Sequence, residues 1–201
     1  MNEDLKYEKR GKLKIGYVGN LLRAAINVDI ARKIILDHPD KEFHFWGPTS
    51  LDENNVSPAE LQIDAELMSF LDFLHTQENV FLHGVTIQEE LAKDLFKMDL
   101  FLFLYSASKD INEASNSHKL IEYLSTGKVV VSTFVSNYSG TNLLEMTEDQ
   151  KLPVLFKKVT NDLEQFNAID KQKQRIKFAL DNTYSNQINR IQSFIYNGSA
   201  N

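Results

Sequence analysis

The sequence predicts an α/β fold: a doubly wound parallel sheet of about six strands in a single domain. Short apolar runs alternate with stretches of helical periodicity, the pattern of repeated βαβ units. The runs are apolar throughout rather than every second residue, as at 99–105 (Asp-Leu-Phe-Leu-Phe-Leu-Tyr), which marks strands buried on both faces. Several runs also stop at a glycine, at Gly19, Gly47 and Gly84. In such sheets ligands bind at the carboxyl ends of the strands.

Residues 1–12 are charged and aperiodic and read as a linker or leading segment; the domain spans 13–196. The first strand is 13–18 (Leu-Lys-Ile-Gly-Tyr-Val), closed by Gly19-Asn20. A helical pattern follows to about residue 37, with Val28, Ala31, Ile34 and Ile35 on one face and Pro39 ending it. The second strand is 42–46, closed by Gly47-Pro48. A polar loop over 49–62 precedes a helix at 64–75, carried by Leu67, Phe70, Leu71 and Leu74. Next come a strand at 79–83, the turn Gly84-Val85, and a helix to about Lys97 opened by Thr86-Ile-Gln-Glu89 as a capping box. The 99–105 strand leads through a polar loop, 106–116, into a short helix, a glycine stop and the strand at 128–133. A sixth strand is predicted at 152–156, and helices at about 161–181 and 185–196 complete the domain. Phe43, Phe45 and Trp46 are expected in the core.

Composition narrows the function. The chain has 201 residues, 42% hydrophobic and 10% aromatic, enough for one domain with a substantial core. Its net charge of −6 argues against a nucleic-acid partner. There is no cysteine, so disulfides, thiol nucleophiles and thiolate metal sites are excluded. No apolar run reaches the ~18 residues of a membrane span, and the N-terminus does not read as a signal peptide. A cytoplasmic protein is expected. No metal-ligand spacing, GxSxG elbow, Walker A loop or DxD occurs, so neither metal nor cofactor is expected.

The segment 117–133 is the most informative. At about 100° per residue, Leu120, Ile121 and Leu124 share one arc, and His118, Lys119, Glu122 and Tyr123 the other. A cation beside a carboxylate at the carboxyl edge of the sheet suits a ligand carrying both phosphate and hydroxyl groups. A surface ion pair three residues apart is the plain alternative. The preceding Ser115, Asn116 and Ser117 place free helix amides beside them. The turn Gly19-Asn20 permits close backbone approach to an anion, and Arg23 adds a cation nearby. His83 reads as a packed, hydrogen-bonded histidine and His118 as solvent-exposed.

The stretches 14–20, 43–48, 79–85, 98–102 and 117–133 occur in an order that resembles the C-terminal, donor-binding Rossmann-like domain of GT-B glycosyltransferases. The likeness is strongest to family-4-like enzymes (glycosyl transferases group 1) that build surface polysaccharides. It covers roughly residues 13–196, and Tyr184 stands where many relatives carry an aromatic residue opening the last helix. The resemblance implies a site for a UDP- or GDP-sugar donor, used without metal. Glu122 would bind the donor ribose and Lys119 would face the diphosphate. Gly19, Asn20 and Arg23 would lie near the phosphates and sugar. His83, Gly84 and Val85 would border the base, and Ser115, Asn116 and Ser117 would surround the transferred sugar and pyrophosphate.

The chain also departs from that family. Where many members carry a glutamate eight positions before the ribose-binding one, it has Ala114. The glycine-rich loop between them is replaced by Ser115-Asn116-Ser117, and only Arg23 or Arg32 stands in for the basic clamp after the first strand. GT-B enzymes pair two such domains, with acceptor and catalytic groups largely on the first, so no catalytic residue is assigned here. The resemblance therefore implies the donor half of a glycosyltransferase acting on a polysaccharide or glycolipid, excised or working with a separate acceptor-binding subunit. A peripheral position at the inner membrane face would come through that other domain, and donor binding without much turnover is expected. The alternative is a non-catalytic interaction module that kept the fold and lost the ligand. A receiver-like domain is disfavoured, because Gly19-Asn20 and Gly84-Val85 supply no acidic cluster or phosphorylatable aspartate.

Overall fold

A computed structural model describes residues 11–23, 25–50, 65–105 and 118–198. Six parallel strands form one sheet: β1 (Lys14–Val18), β2 (Glu42–Trp46), β3 (Val80–Leu82), β4 (Leu100–Phe103), β5 (Val129–Thr133) and β6 (Glu145–Thr147). Their spatial order is β3-β2-β1-β4-β5-β6. The helices are α1 (Val28–Asp37), α2 (Ala65–Thr76), α3 (Gln88–Leu95), α4 (His118–Ser125), α5 (Leu152–Asn161), α6 (Leu163–Phe166), α7 (Ile169–Asp181) and α8 (Tyr184–Gly198).

Helices cover both faces of the sheet. Register pairs Ile15 with Phe43 and Gly16 with Phe101, so Phe43 and Phe101 point to opposite faces. Phe43 meets Phe156 of α5 on one face, with ring centroids 6.1 Å apart; Phe101 stacks on Tyr123 of α4 on the other, at 4.4 Å. Every residue of β4 and β5 is buried, the apolar-run signature realised. Phe43, Phe45 and Trp46 lie in the core as expected.

Four sequence expectations are corrected. The sixth strand is β6, and 152–156 opens α5 instead. Pro153 sits in the helix's first turn, where its missing N–H costs nothing, and Leu152, Phe156 and Val159 recur on one buried face. The helix after β1 starts only at Val28, with the Asn27 side chain accepting from the Ile30 amide at 3.3 Å. No capping box forms at 86–89: α3 starts at Gln88 after Ile87, which makes no side-chain cap. Tyr123 belongs to the buried face of α4, while Ile121 is only partly buried.

Ile26 and Asn27 lie against the end of β4. The Asn27 amide donates to the Leu104 carbonyl at 2.9 Å, and Ile26 bridges to Tyr105. This contact ties the turn after β1 to the end of β4.

Candidate functional site

The order 3-2-1-4-5-6 reverses direction between β1 and β4, and the crevice at that reversal is where open α/β sheets bind ligands. The turns around it are held tightly. The Gly19 amide donates to the Trp46 carbonyl and the Gly47 amide to the Gly84 carbonyl, each at 2.8 Å. Gly47 has φ +133°, and a Cβ there would stand 2.0 Å from the Gly19 carbonyl oxygen. Only glycine lets the two turns pass this closely. The Asn20 side chain accepts from the Leu22 amide at 2.9 Å, an Asx turn that shapes the loop carrying Arg23.

Lys119 reaches into this crevice from the first turn of α4. Its ammonium donates to the Tyr105 hydroxyl at 2.7 Å and lies 5.0 Å from that ring's centroid. A Cβ built on Gly19 would meet Lys119 Nζ at 2.7 Å and the Tyr17 hydroxyl oxygen at 3.0 Å. The bare glycine thus leaves room for these groups to converge over the end of β1.

Three tyrosines line the convergence. Tyr17 is 2% exposed, and its hydroxyl has no hydrogen-bond partner among the described residues. The Tyr105 hydroxyl is the polar group that bears most on it. Burial, with the Tyr105 and Tyr123 hydroxyls close by, pushes the Tyr17 phenol well above the usual range; Arg23 pulls weakly the other way and is therefore within electrostatic reach. Tyr123 is fully buried, accepts from the Val18 amide at 2.6 Å and fixes the last residue of β1. Burial keeps its phenol firmly protonated as well. Tyr105 holds Lys119, and its own carbonyl accepts from the buried Thr133 hydroxyl.

Glu122 lies on the same helix and is exposed by area. Crowding around its carboxyl still raises the pKa, opposed by the charges of Lys119 and His118. The Lys119 cation itself is turned toward Tyr105 and Gly19. His118 is exposed, 5.6 Å ring to ring from Tyr184.

His83 is hydrogen-bonded, as expected, but it is exposed rather than packed in the core. Its Nε2 lies 3.0 Å from His44 Nδ1, and its ring stacks on Trp46 at 4.5 Å. Burial lowers the pKa of both histidines. Gly84 and Val85 follow at the carboxyl end of β3, two strands from β1, with Val85 62% exposed. Ser115, Asn116 and Ser117 lie outside the described residues, as does Ala114. Among the described residues, no group of three or more His, Asp or Glu side chains is placed to hold a metal ion, and no helix is long and apolar enough to cross a membrane.

The structure thus brings Lys119 onto Gly19, with Asn20 and Arg23 in the turn that follows and Glu122 on the helix that carries Lys119, and sets His83, Gly84 and Val85 at the carboxyl end of β3, two strands from β1. Sequence reasoning missed Tyr17, Tyr105 and Tyr123. A usable signal existed: Tyr123 lies three residues after Leu120 and so shares its face, and Tyr17 and Tyr105 stand at the carboxyl ends of two apolar runs.

No protein-family model matches the sequence, and no curated protein matches it. Solved structures do. HepE from Anabaena in complex with UDP and glucose matches with a TM-score of 0.67 at 16% identity, over 95% of this chain and 49% of that one. The sucrose-phosphate synthase of Thermosynechococcus elongatus gives 0.69 at 13% identity, over 94% and 46%. A UDP-forming α,α-trehalose-phosphate synthase from Burkholderia vietnamiensis gives 0.67 at 10% identity, over 98% and 47%. The chain spans about half the length of these proteins. At such identities the likeness establishes architecture: the chain has the fold of one half of a GT-B glycosyltransferase.

Proposed function

We propose that the chain binds a nucleotide-diphosphate sugar as the donor half of a glycosyltransferase whose acceptor is a polysaccharide or glycolipid. The observation that carries the reading is the convergence of Lys119 on Gly19 at the β1–β4 crevice, with Arg23 in reach. A diphosphate seated there would meet the Lys119 ammonium directly, with no side chain at Gly19 to hold it off. Glu122 would accept from the ribose hydroxyls, and Gly84 and Val85 would border the base through their backbone. Ser115, Asn116 and Ser117 would surround the sugar. The bound UDP and glucose of HepE support a ligand of this class.

In the transfer step the leaving diphosphate gains negative charge, and a fixed ammonium at that point stabilises it electrostatically. A metal ion would not be required for this role. Acceptor binding and the remaining catalytic groups belong to the second half of a GT-B pair, in the same or another chain, in the cytoplasm or at the inner face of a membrane. The domain alone binds donor with little turnover.

Calorimetric titration with UDP and GDP tests this. Binding of one of them, weakened at least tenfold by Glu122→Ala or Lys119→Ala, is expected. No binding of either, with both variants indifferent, refutes it. Ala114, at the position of an expected carboxylate, favours the alternative of an interaction module without a ligand. That reading wins if a protein partner binds while no nucleotide does.

A further inference from the structure

Among the described residues at the crevice, Tyr17 has chemistry that the donor-binding reading leaves unused. Its side chain is almost fully buried, yet its hydroxyl makes no hydrogen bond among those residues. A buried hydroxyl without a partner costs stability. Packing alone does not require it. The ring is already set against Phe45, with centroids 5.4 Å apart, so phenylalanine would fill the same space without that cost.

The surroundings decide what the hydroxyl suits. The Tyr17 oxygen stands 3.0 Å from the point where a Gly19 side chain would begin, and Lys119 Nζ stands 2.7 Å from that same point. Lys119 is a pure donor and directs one N–H at Tyr105. Tyr123 is committed to Val18. With its phenol kept protonated by burial, Tyr17 also presents a donor. Two donors brought this near the bare Gly19 suit a ligand that only accepts, with several oxygens and negative charge.

We propose that the Tyr17 hydroxyl donates a hydrogen bond to the diphosphate of the bound nucleotide, making Tyr17 a phosphate-contact residue alongside Lys119. The inference rests on the donor-binding reading and adds a recognition element on β1 itself. It also predicts an unusual pairing of effects. Removing the hydroxyl should help the empty fold and harm the complex.

The test is Tyr17→Phe, compared with the unaltered protein in thermal melts and in titrations with UDP, GDP, uridine and guanosine. We expect a melting temperature equal to or above that of the unaltered protein. The diphosphate should bind about tenfold more weakly, the size of one charge-assisted hydrogen bond, with the nucleoside unchanged. Diphosphate affinity within twofold of the unaltered protein overturns the inference while leaving the donor-binding reading intact. So does a loss shared equally by the nucleoside, or a lowered melting temperature, since either marks a structural role. If the unaltered protein binds neither UDP nor GDP, the donor-binding reading fails and takes the inference with it.

Discussion

Replacing Gly19 by alanine should separate binding from folding. The new Cβ would lie 2.7 Å from Lys119 Nζ, 3.0 Å from the Tyr17 hydroxyl oxygen and 3.2 Å from Tyr17 Cε1. An ordinary contact is about 3.5 Å, so the ammonium must retreat by roughly 0.8 Å. Retreat is easy for the tip of a lysine and hard for the buried Tyr17 ring. Moving away strains the 2.7 Å bond to Tyr105, but half-exposed Lys119 regains water, so folding should lose no more than about 1 kcal/mol. Binding should lose more, because the cation is displaced and a methyl group occupies the phosphate's place. A ten- to hundredfold weaker UDP affinity corresponds to about 1.4–2.8 kcal/mol.

Gly47→Ala is the contrasting control. There the Cβ falls 2.0 Å from a backbone oxygen at φ +133°. Backbone must move, endangering two 2.8 Å hydrogen bonds between turns. Strain and lost bonds together are worth about 3–5 kcal/mol, or a fall of about 6–20 °C at 2–4 °C per kcal/mol. Calorimetry and circular-dichroism melts on both variants check the pair. The reasoning is refuted if Gly19→Ala binds UDP as the unaltered protein does, or melts as low as Gly47→Ala.

Three further outcomes follow from the same geometry. Tyr123→Phe leaves the Val18 amide without the oxygen it reaches at 2.6 Å, so unfolding should become easier by about 1–3 kcal/mol in denaturant titrations. His44 and His83 have pKa values lowered from 6.5 by burial, so the unfolded chain binds more protons below that pH. Stability should therefore be level above pH 6.5 and decline as pH falls beneath it, and His44→Asn should flatten the decline in pH-dependent melts. The Glu122 carboxyl titrates above its ordinary 4.5. If its ionised form accepts from the ribose, uridine affinity should begin to fall on acidification while the pH is still above 4.5, and Glu122→Gln should remove that dependence.

The parts of this molecule legible in its sequence are those whose residues see the same environment throughout. β4 and β5, buried on every side, read directly as apolar runs, and the glycines at 19, 47 and 84 mark the turns because backbone approaches backbone there. β6 is hidden because it is a three-residue edge strand, Glu-Met-Thr, with all three residues half-exposed and no apolar run. The apolar run at 152–156 belongs to α5, and the proline in its first turn is the sign that distinguishes it from a strand.

At the site, Lys119 and Glu122 stand out in the sequence because charge at a strand's carboxyl edge is conspicuous. The tyrosines do not, because each has two natures. Tyr123 looks polar on a helical wheel, yet its ring stacks on Phe101 at 4.4 Å and only its hydroxyl is polar in effect. Tyr17 looks like core, and it is core except for one oxygen. Which nature prevails depends on elements far apart in sequence, as with Val18 of β1 and Tyr123 of α4, 105 residues apart.

Whether a nucleoside diphosphate sits in the β1–β4 crevice is decided most plainly by amide chemical shifts followed during titration with UDP or GDP. The largest changes should fall on Gly19, Asn20, Lys119 and Glu122, with a second group at Gly84 and Val85. Changes confined to other surfaces, or none at millimolar nucleotide, would show that the crevice is not the nucleotide site.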